Sequence, residues 1–156
     1  MNRRIAAPKG LEGFLEELTS KGAGEPFPLF QTKQKALTFA AAFGLSLGKK
    51  TQIDQREAGT AIRHDIFQGE MDDAFLAALA VTETASLNVL ADEREEEFGT
   101  IFEEYAHTGL LELQRRFETG GDRLDTLVAL MNTARSPSPP PELAGMDAEI
   151  LQELMR

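Results

Sequence analysis

Residues 72–90 read DDAFLAALAVTETASLNVL, and residues 92–118 read DEREEEFGTIFEEYAHTGLLELQRRFE. Phe75, Leu76, Leu79, Leu87 and Leu90 recur near helical spacing in the first stretch. Phe98, Ile101, Phe102, Tyr105, Leu113 and Phe117 do so in the second. Residues three and four apart share a helix face, so each stripe needs a neighbour to bury against. The spacing predicts two successive helices, roughly Asp72–Leu90 and Asp92–Glu118. Ala85-Ser86 marks a bend point in the first, and Asp92 with Glu95 resembles a capping box at the start of the second. Gly99 and Gly109 weaken that second helix by about 1 kcal/mol each relative to Ala, and Gly109 is a candidate break. Its polar side, from Asp92 and Glu93 through Glu95, Glu96 and Glu97 to Glu103 and Glu104, reads as a solvated acidic face.

Outward from this pair, further helices are expected. Leu11, Phe14, Leu15 and Leu18 form a short amphipathic stripe after a mobile segment at 1–9. Gly22 and Gly24 end it, and Glu25-Pro26-Phe27-Pro28 is a connector in which Phe27, Leu29 and Phe30 are expected to be buried. Thr32 suits the N-cap of a helix over Lys33–Leu47, with Ala36, Leu37, Ala40, Ala41, Phe43 and Leu47 on its face and Gly48 as C-cap. Its small residues let a neighbouring helix approach closely. Lys49 and Lys50 sit favourably at the negative end of its dipole, or contact a phosphate or acidic partner. Residues 51–71 read as an irregular insert with a short extended piece, and Ile62, Ile66 and Phe67 are expected beneath the helices. Gly120-Gly121 stops the long helix, and Asp122 caps another with Leu124, Leu127, Val128 and Met131 on its face. Ser136-Pro137-Ser138-Pro139-Pro140-Pro141 begins a Pro-rich linker at 136–145. Met146, Ile150, Leu151, Leu154 and Met155 then line a short amphipathic segment at 146–156, a form suited to docking in a groove.

The predicted class is therefore all-α: a single compact helical domain over 1–135, of about five or six helices, with a small irregular or extended insert near 51–71. A chain of 156 residues can bury a sizeable core. It has no cysteine, which removes disulfides and thiolate metal sites. No apolar run approaches the roughly 20 residues of a bilayer span, and no signal-peptide core follows the first basic residues, so a cytoplasmic protein is expected. The net charge of −10 is uneven. Residues 1–63 carry ten Lys and Arg against six Asp and Glu, a net +4, and the remainder carries six against twenty, a net −14. An acidic chain is a poor autonomous binder of DNA, because phosphate attraction dominates that binding.

Searches for chemistry give little. Glu104-Tyr105-Ala106-His107 is a single Glu-x-x-His pair, where carboxylate-bridged di-iron bundles use two. Gly44 to Thr51 is one residue short of a P-loop and ends a helix where a P-loop begins one. Two histidines and no cysteine leave few options for nucleophilic or general-base catalysis.

Several stretches nevertheless resemble a known family. They are Ala40-Ala41-Ala42-Phe43-Gly44-Leu45 running to Gly48-Lys49-Lys50, Ile62-Arg63-His64-Asp65-Ile66-Phe67, Ala78 to Thr84, and Phe102 to Leu110. Together they are similar to Dnd system-associated protein 4, a small protein family associated with bacterial DNA phosphorothioation gene clusters. The likeness covers roughly residues 30–115. It implies a setting in bacterial antiviral defence, near modification or restriction machinery. It also implies an accessory role, since such members are too small to be the ATPase or nuclease of that machinery.

The expected function is a non-catalytic accessory or adaptor subunit that docks onto a larger protein of a defence complex, of the ATPase, helicase or nuclease type. No catalytic residue, cofactor, metal or membrane contact is expected. Interface candidates are Lys49, Lys50 and Arg63, with Glu103 and Glu104 opposite, and Ile150, Leu151 and Leu154 in the tail. The alternatives are a DNA-associated regulator using the basic region 33–63, an enzyme with His64 or His107 beside a carboxylate, and self-assembly through apolar faces.

Overall fold

A computed structural model describes residues 3–68 and 72–135. The predicted linker at 136–145 and tail segment at 146–156 lie outside the described residues. Chain order is β1 (Arg4–Ile5), α1 (Glu12–Thr19), α2 (Lys33–Ser46), β2 (Ile62–Arg63), α3 (Asp72–Thr84), α4 (Glu95–Glu118) and α5 (Arg123–Arg135). The predicted all-α class holds, with one antiparallel ribbon in which Arg4 faces Arg63 and Ile5 faces Ile62. Helix α4 is the axis of the fold: α2, α3, α5 and β1 all pack on it, and α1 packs on α2.

Residue size brings α2 and α4 together. The Thr32 hydroxyl accepts from the Lys35 amide at 3.2 Å and starts α2 as expected. Gly48, at φ 64, ends it by donating to the Leu45 carbonyl at 2.9 Å. Between them, Ala36, Leu37, Ala40, Ala41 and Gly44 are buried. A Cβ on Gly44 would lie 2.1 Å from the Tyr105 carbonyl oxygen, and one on Gly109 would lie 1.8 Å from the Ala40 carbonyl oxygen. Both glycines are therefore required by backbone-to-backbone contact. Gly109 is not a break: α4 runs unbroken through it. Leu37, Leu76, Leu79, Phe102, Leu110 and Leu113 fill the core around this crossing, with Phe67 edge-on to Phe102 at 5.7 Å between ring centres.

Several expectations fail for local reasons. Helix α3 stops at Thr84, because Ala85 takes a positive φ of 52° and the Ser86 hydroxyl accepts from the Asn88 amide at 3.2 Å. Such local side-chain bonds compete with helix continuation. Single 3-10 turns at Leu87–Leu90 and Asp92–Arg94 bridge to α4, so Val89 is buried while Leu87 is 74% exposed. The N-cap positions of the second turn and of α4 are Ala91 and Arg94 rather than Asp92, and neither makes a side-chain capping bond. Phe27 is 76% exposed rather than buried, because Leu29 and Phe30 take the core contacts. The Phe30 amide bonds the Leu18 carbonyl at 3.0 Å, which leaves the Pro26-Phe27-Pro28 bow outside. Ile66 is half exposed, since the turn at His64–Gln68 directs Phe67 inward instead.

The largest difference lies at the start of the chain. Residues 3–9 are held in place: Ile5, Ala6 and Ala7 are buried. The Lys9 amide bonds the Gln55 carbonyl, and the Glu57 amide bonds the Ala7 carbonyl, each at 2.8 Å. The irregular insert thus pairs with the N-terminal strand, and the two together lie over the acidic side of α4.

Candidate interaction surfaces

What holds that layer down is a buried carboxylate. Glu103 sits on α4 with a fully buried side chain. Its Oε2 accepts from Arg3 Nη2 at 2.6 Å and from Arg56 Nε at 2.7 Å, and its Oε1 accepts from the Ala6 amide at 3.0 Å. Arg3 is itself nearly enclosed and also reaches Glu96 Oε2 at 2.9 Å and Thr100 Oγ1 at 3.2 Å. Gly99 makes room for it, since a Cβ there would meet Arg3 Nε at 2.4 Å. A buried carboxylate flanked by two guanidiniums and an amide is well satisfied. Glu103, expected as an exposed contact residue on a solvated face, is instead a tie within the fold.

Its immediate neighbour on α4, Glu104, points to a different side of the helix and belongs to a different cluster. Lys50 Nζ lies 2.6 Å from Glu83 Oε1 and 3.6 Å from Glu104 Oε2, and Tyr105 donates to Glu83 Oε2 at 2.6 Å. The bond to Glu83 raises the Lys50 ammonium above its ordinary pKa, and the same bond, with Tyr105 second, lowers Glu83. Burial, then Glu83, pushes the Tyr105 phenol up to about 12. Lys50, Glu83 and Glu104 border a shallow cleft of about 400 Å³ whose wall also includes Glu96, Glu97 and Thr100.

The basic residues expected to form a DNA-facing stripe are largely engaged elsewhere. Lys33 pairs with Glu16, Lys50 with Glu83 and Glu104, and Arg56 with Glu103. Lys35 and Arg63 also have interactions of their own. Lys49 is exposed beyond the end of α2. The structure therefore places Lys50 with Glu104, and separates Glu103 from both. Ile150, Leu151 and Leu154 lie outside the described residues.

The histidines have structural surroundings. His64 is 5% exposed, between Phe67 and Phe98, with Nε2 3.6 Å from Asp73 Oδ1, beyond hydrogen-bond reach. His107 Nδ1 lies 3.1 Å from the Gln52 carbonyl and 3.2 Å from that of Thr51, so Nδ1 carries the proton and donates. Among the described residues, no group of three or more potential ligands could hold a metal ion. No described helix is long and apolar enough to cross a membrane.

Two surfaces are apolar, and pattern reading did not find them. Phe27 and Leu124, 76% and 59% exposed, line one cavity together with Pro26, Pro28, Glu25 and Asp122. A second groove of about 430 Å³ runs between α2 and α5. Phe39, Phe43 and Leu47 form one wall, Leu130 and Met131 the other, and Arg116 stands at one side over the Phe43 ring at 5.5 Å. Arg116 is steadied by Glu112, whose carboxyl is lowered to about 2, first by its bond to Arg115 and then by Arg116. The exposed apolar residues Phe27 and Leu124 are 97 positions apart, so no local sequence window contains both.

A sequence model of the family described as DNA sulphur modification system-associated protein 4 matches residues 4–148. The match extends in both directions beyond the likeness legible at 30–115, and takes in β1 and the Pro-rich segment. No curated protein matches the chain. No solved structure matches it.

Proposed function

Since the chain belongs to the DNA sulphur modification system-associated protein 4 family, we propose that it is a non-catalytic accessory subunit. It docks onto a larger protein of that system, and the Phe27–Leu124 surface carries the contact. The supporting observation is an aromatic ring 76% exposed, set between Pro26 and Pro28 and beside Leu124. Exposing a large ring costs solvation free energy that a partner would recover, and aromatic residues dominate interface energetics. The prolines limit the conformational freedom of the loop, so less ordering entropy is lost on docking. Glu25 and Asp122 border the surface and favour a partner with cationic residues around an apolar pocket.

The test is capture of the tagged full-length protein from its native host, with and without nuclease, followed by mass spectrometry. A larger protein of the modification system, recovered in stoichiometric amount after nuclease and lost with Phe27→Ser plus Leu124→Ser, is the expected result. Both substituted residues are solvent-facing, so thermal melting should be nearly unchanged. Recovery of DNA alone, lost on nuclease treatment, would overturn the proposal in favour of a DNA-associated regulator.

A further inference from the structure

We propose that the outer face of α5 pairs with the same face of a second copy of this chain, antiparallel, about a two-fold axis near Val128.

Helix α5 buries Leu127 and leaves a stripe beside it in water. Leu124, Val128 and Met131 recur at spacings of four and three and are all exposed. The stripe is lengthened at both ends. Phe27 borders the same cavity as Leu124, and Leu47 lines the same groove as Met131. Five of the nine large apolar side chains exposed among the described residues therefore join into one band. Singly scattered apolar residues need no explanation, but a continuous band marks a contact surface.

The band has the size that a dimer needs. A specific interface buries about 800 Å² on each partner, of which a little over half is apolar. The five side chains, 43% to 76% exposed, can supply that apolar centre at roughly 100 Å² each. A patch at this lower end fits micromolar association better than an obligate dimer.

Charge sets the direction of pairing and favours a second copy as the occupant. Glu25, Asp122 and Asp125 are exposed at the Leu124 end, and Lys49 is exposed two residues beyond Leu47 at the other end. None of these four is engaged in an ion pair among the described residues. Parallel copies would set the three carboxylates against their own counterparts. Antiparallel copies set them against Lys49 of the second copy, twice by symmetry, and oppose the two helix dipoles. Leu124 of one copy then meets Met131 of the other, and Val128 meets itself near the axis. The band is complementary to itself, as an isologous contact requires.

One consequence rests on the docking reading above: Phe27 and Leu124 cannot serve a larger protein and a second copy at once, so self-association withholds the docking surface. The pairing itself does not depend on that reading.

Sedimentation velocity of the full-length protein, from micromolar to sub-millimolar concentration, should show a mass rising from 17.1 kDa toward twice that value. Val128→Glu should remain a monomer throughout, with unchanged helical circular dichroism and melting in dilute solution. Lys49→Glu should weaken association about fivefold, and adding Asp125→Lys should restore it. The chain has no native cysteine, so Val128→Cys tests the axis directly. Under mild oxidation it should form a disulfide-linked dimer much faster than Leu87→Cys, although Leu87 is the more exposed position. Equal rates at the two positions, or association that survives Val128→Glu, would overturn the proposal. A constant monomer mass would overturn it and leave the docking reading standing. A rising mass with no larger protein captured from the host would support the pairing and overturn the docking reading instead.

Discussion

Gly109 on α4 lies directly against the Ala40 carbonyl on α2, so closely that a Cβ at 109 would come within 1.8 Å of that oxygen. The obstacle is backbone, which no rotamer change can remove. Gly109→Ala must push the two main helices apart. It should cost at least about 3 kcal/mol, read as a lowered denaturation midpoint. Gly13 in α1 is the control, since a Cβ there meets nothing within 4 Å. Gly13→Ala should stabilise by up to about 1 kcal/mol.

Glu103→Gln leaves Arg3 and Arg56 without their shared carboxylate in a site where Arg3 is 6% exposed. Breaking such a pair from one side costs about 3 kcal/mol. The loss should be local as well as global. Amide exchange at Ala6, Ala7 and Glu57 should accelerate more than at Leu37 or Ala41, as hydrogen–deuterium exchange would show.

Tyr105 is the one tyrosine of a chain without tryptophan, so tyrosinate absorbance reports it alone. It should titrate near 12. Glu83→Gln should move it only part of the way back toward 10, because burial is the larger cause of the shift. A pKa raised in the folded state gives stability that is complete below the unfolded value. Stability from this residue should therefore hold up to about pH 10 and fall as pH rises toward 12. A wild-type titration near 10 would contradict the buried Tyr105–Glu83 contact.

Two phenylalanines should behave oppositely. Phe67 is fully buried and touches the Phe102 and His64 rings, so Phe67→Ala should cost about 3–5 kcal/mol. Phe27→Ser should lie within about 0.5 kcal/mol of wild type, because the ring is mostly in water. Urea denaturation of both variants checks the contrast.

The helices were legible where local rules decide them. Thr32, Gly48 and Asp122 all act as the caps their types suggest, with the Asp125 amide bonded to Asp122 Oδ1 at 3.0 Å. The Ala40–Ala41 region did mark a close helix contact. Gly109 was misread as a weak point because its partner lies 69 residues away, and helix propensity is blind to tertiary contact. Glu103 was misread for the same kind of reason. A run of carboxylates on a helix is usually solvated, and nothing near it announces that Arg3 and Arg56 will cover one of them. Phe27 shows the converse: aromatic identity favours burial, but two adjacent residues had already filled the space.

The clasp of Arg3, Ala6 and Arg56 on Glu103 also bears on the order of events during synthesis. The strand leaves the ribosome early, yet the carboxylate that fixes it is made about 100 residues later. At about 5–20 residues per second, the strand waits several seconds with its apolar residues uncovered. Helices α1 and α2 can form in that interval, since their hydrogen bonds are local, but the ribbon over α4 cannot. Completion of this domain is thus timed by translation of α4, and the earliest-made strand is among the last parts to settle.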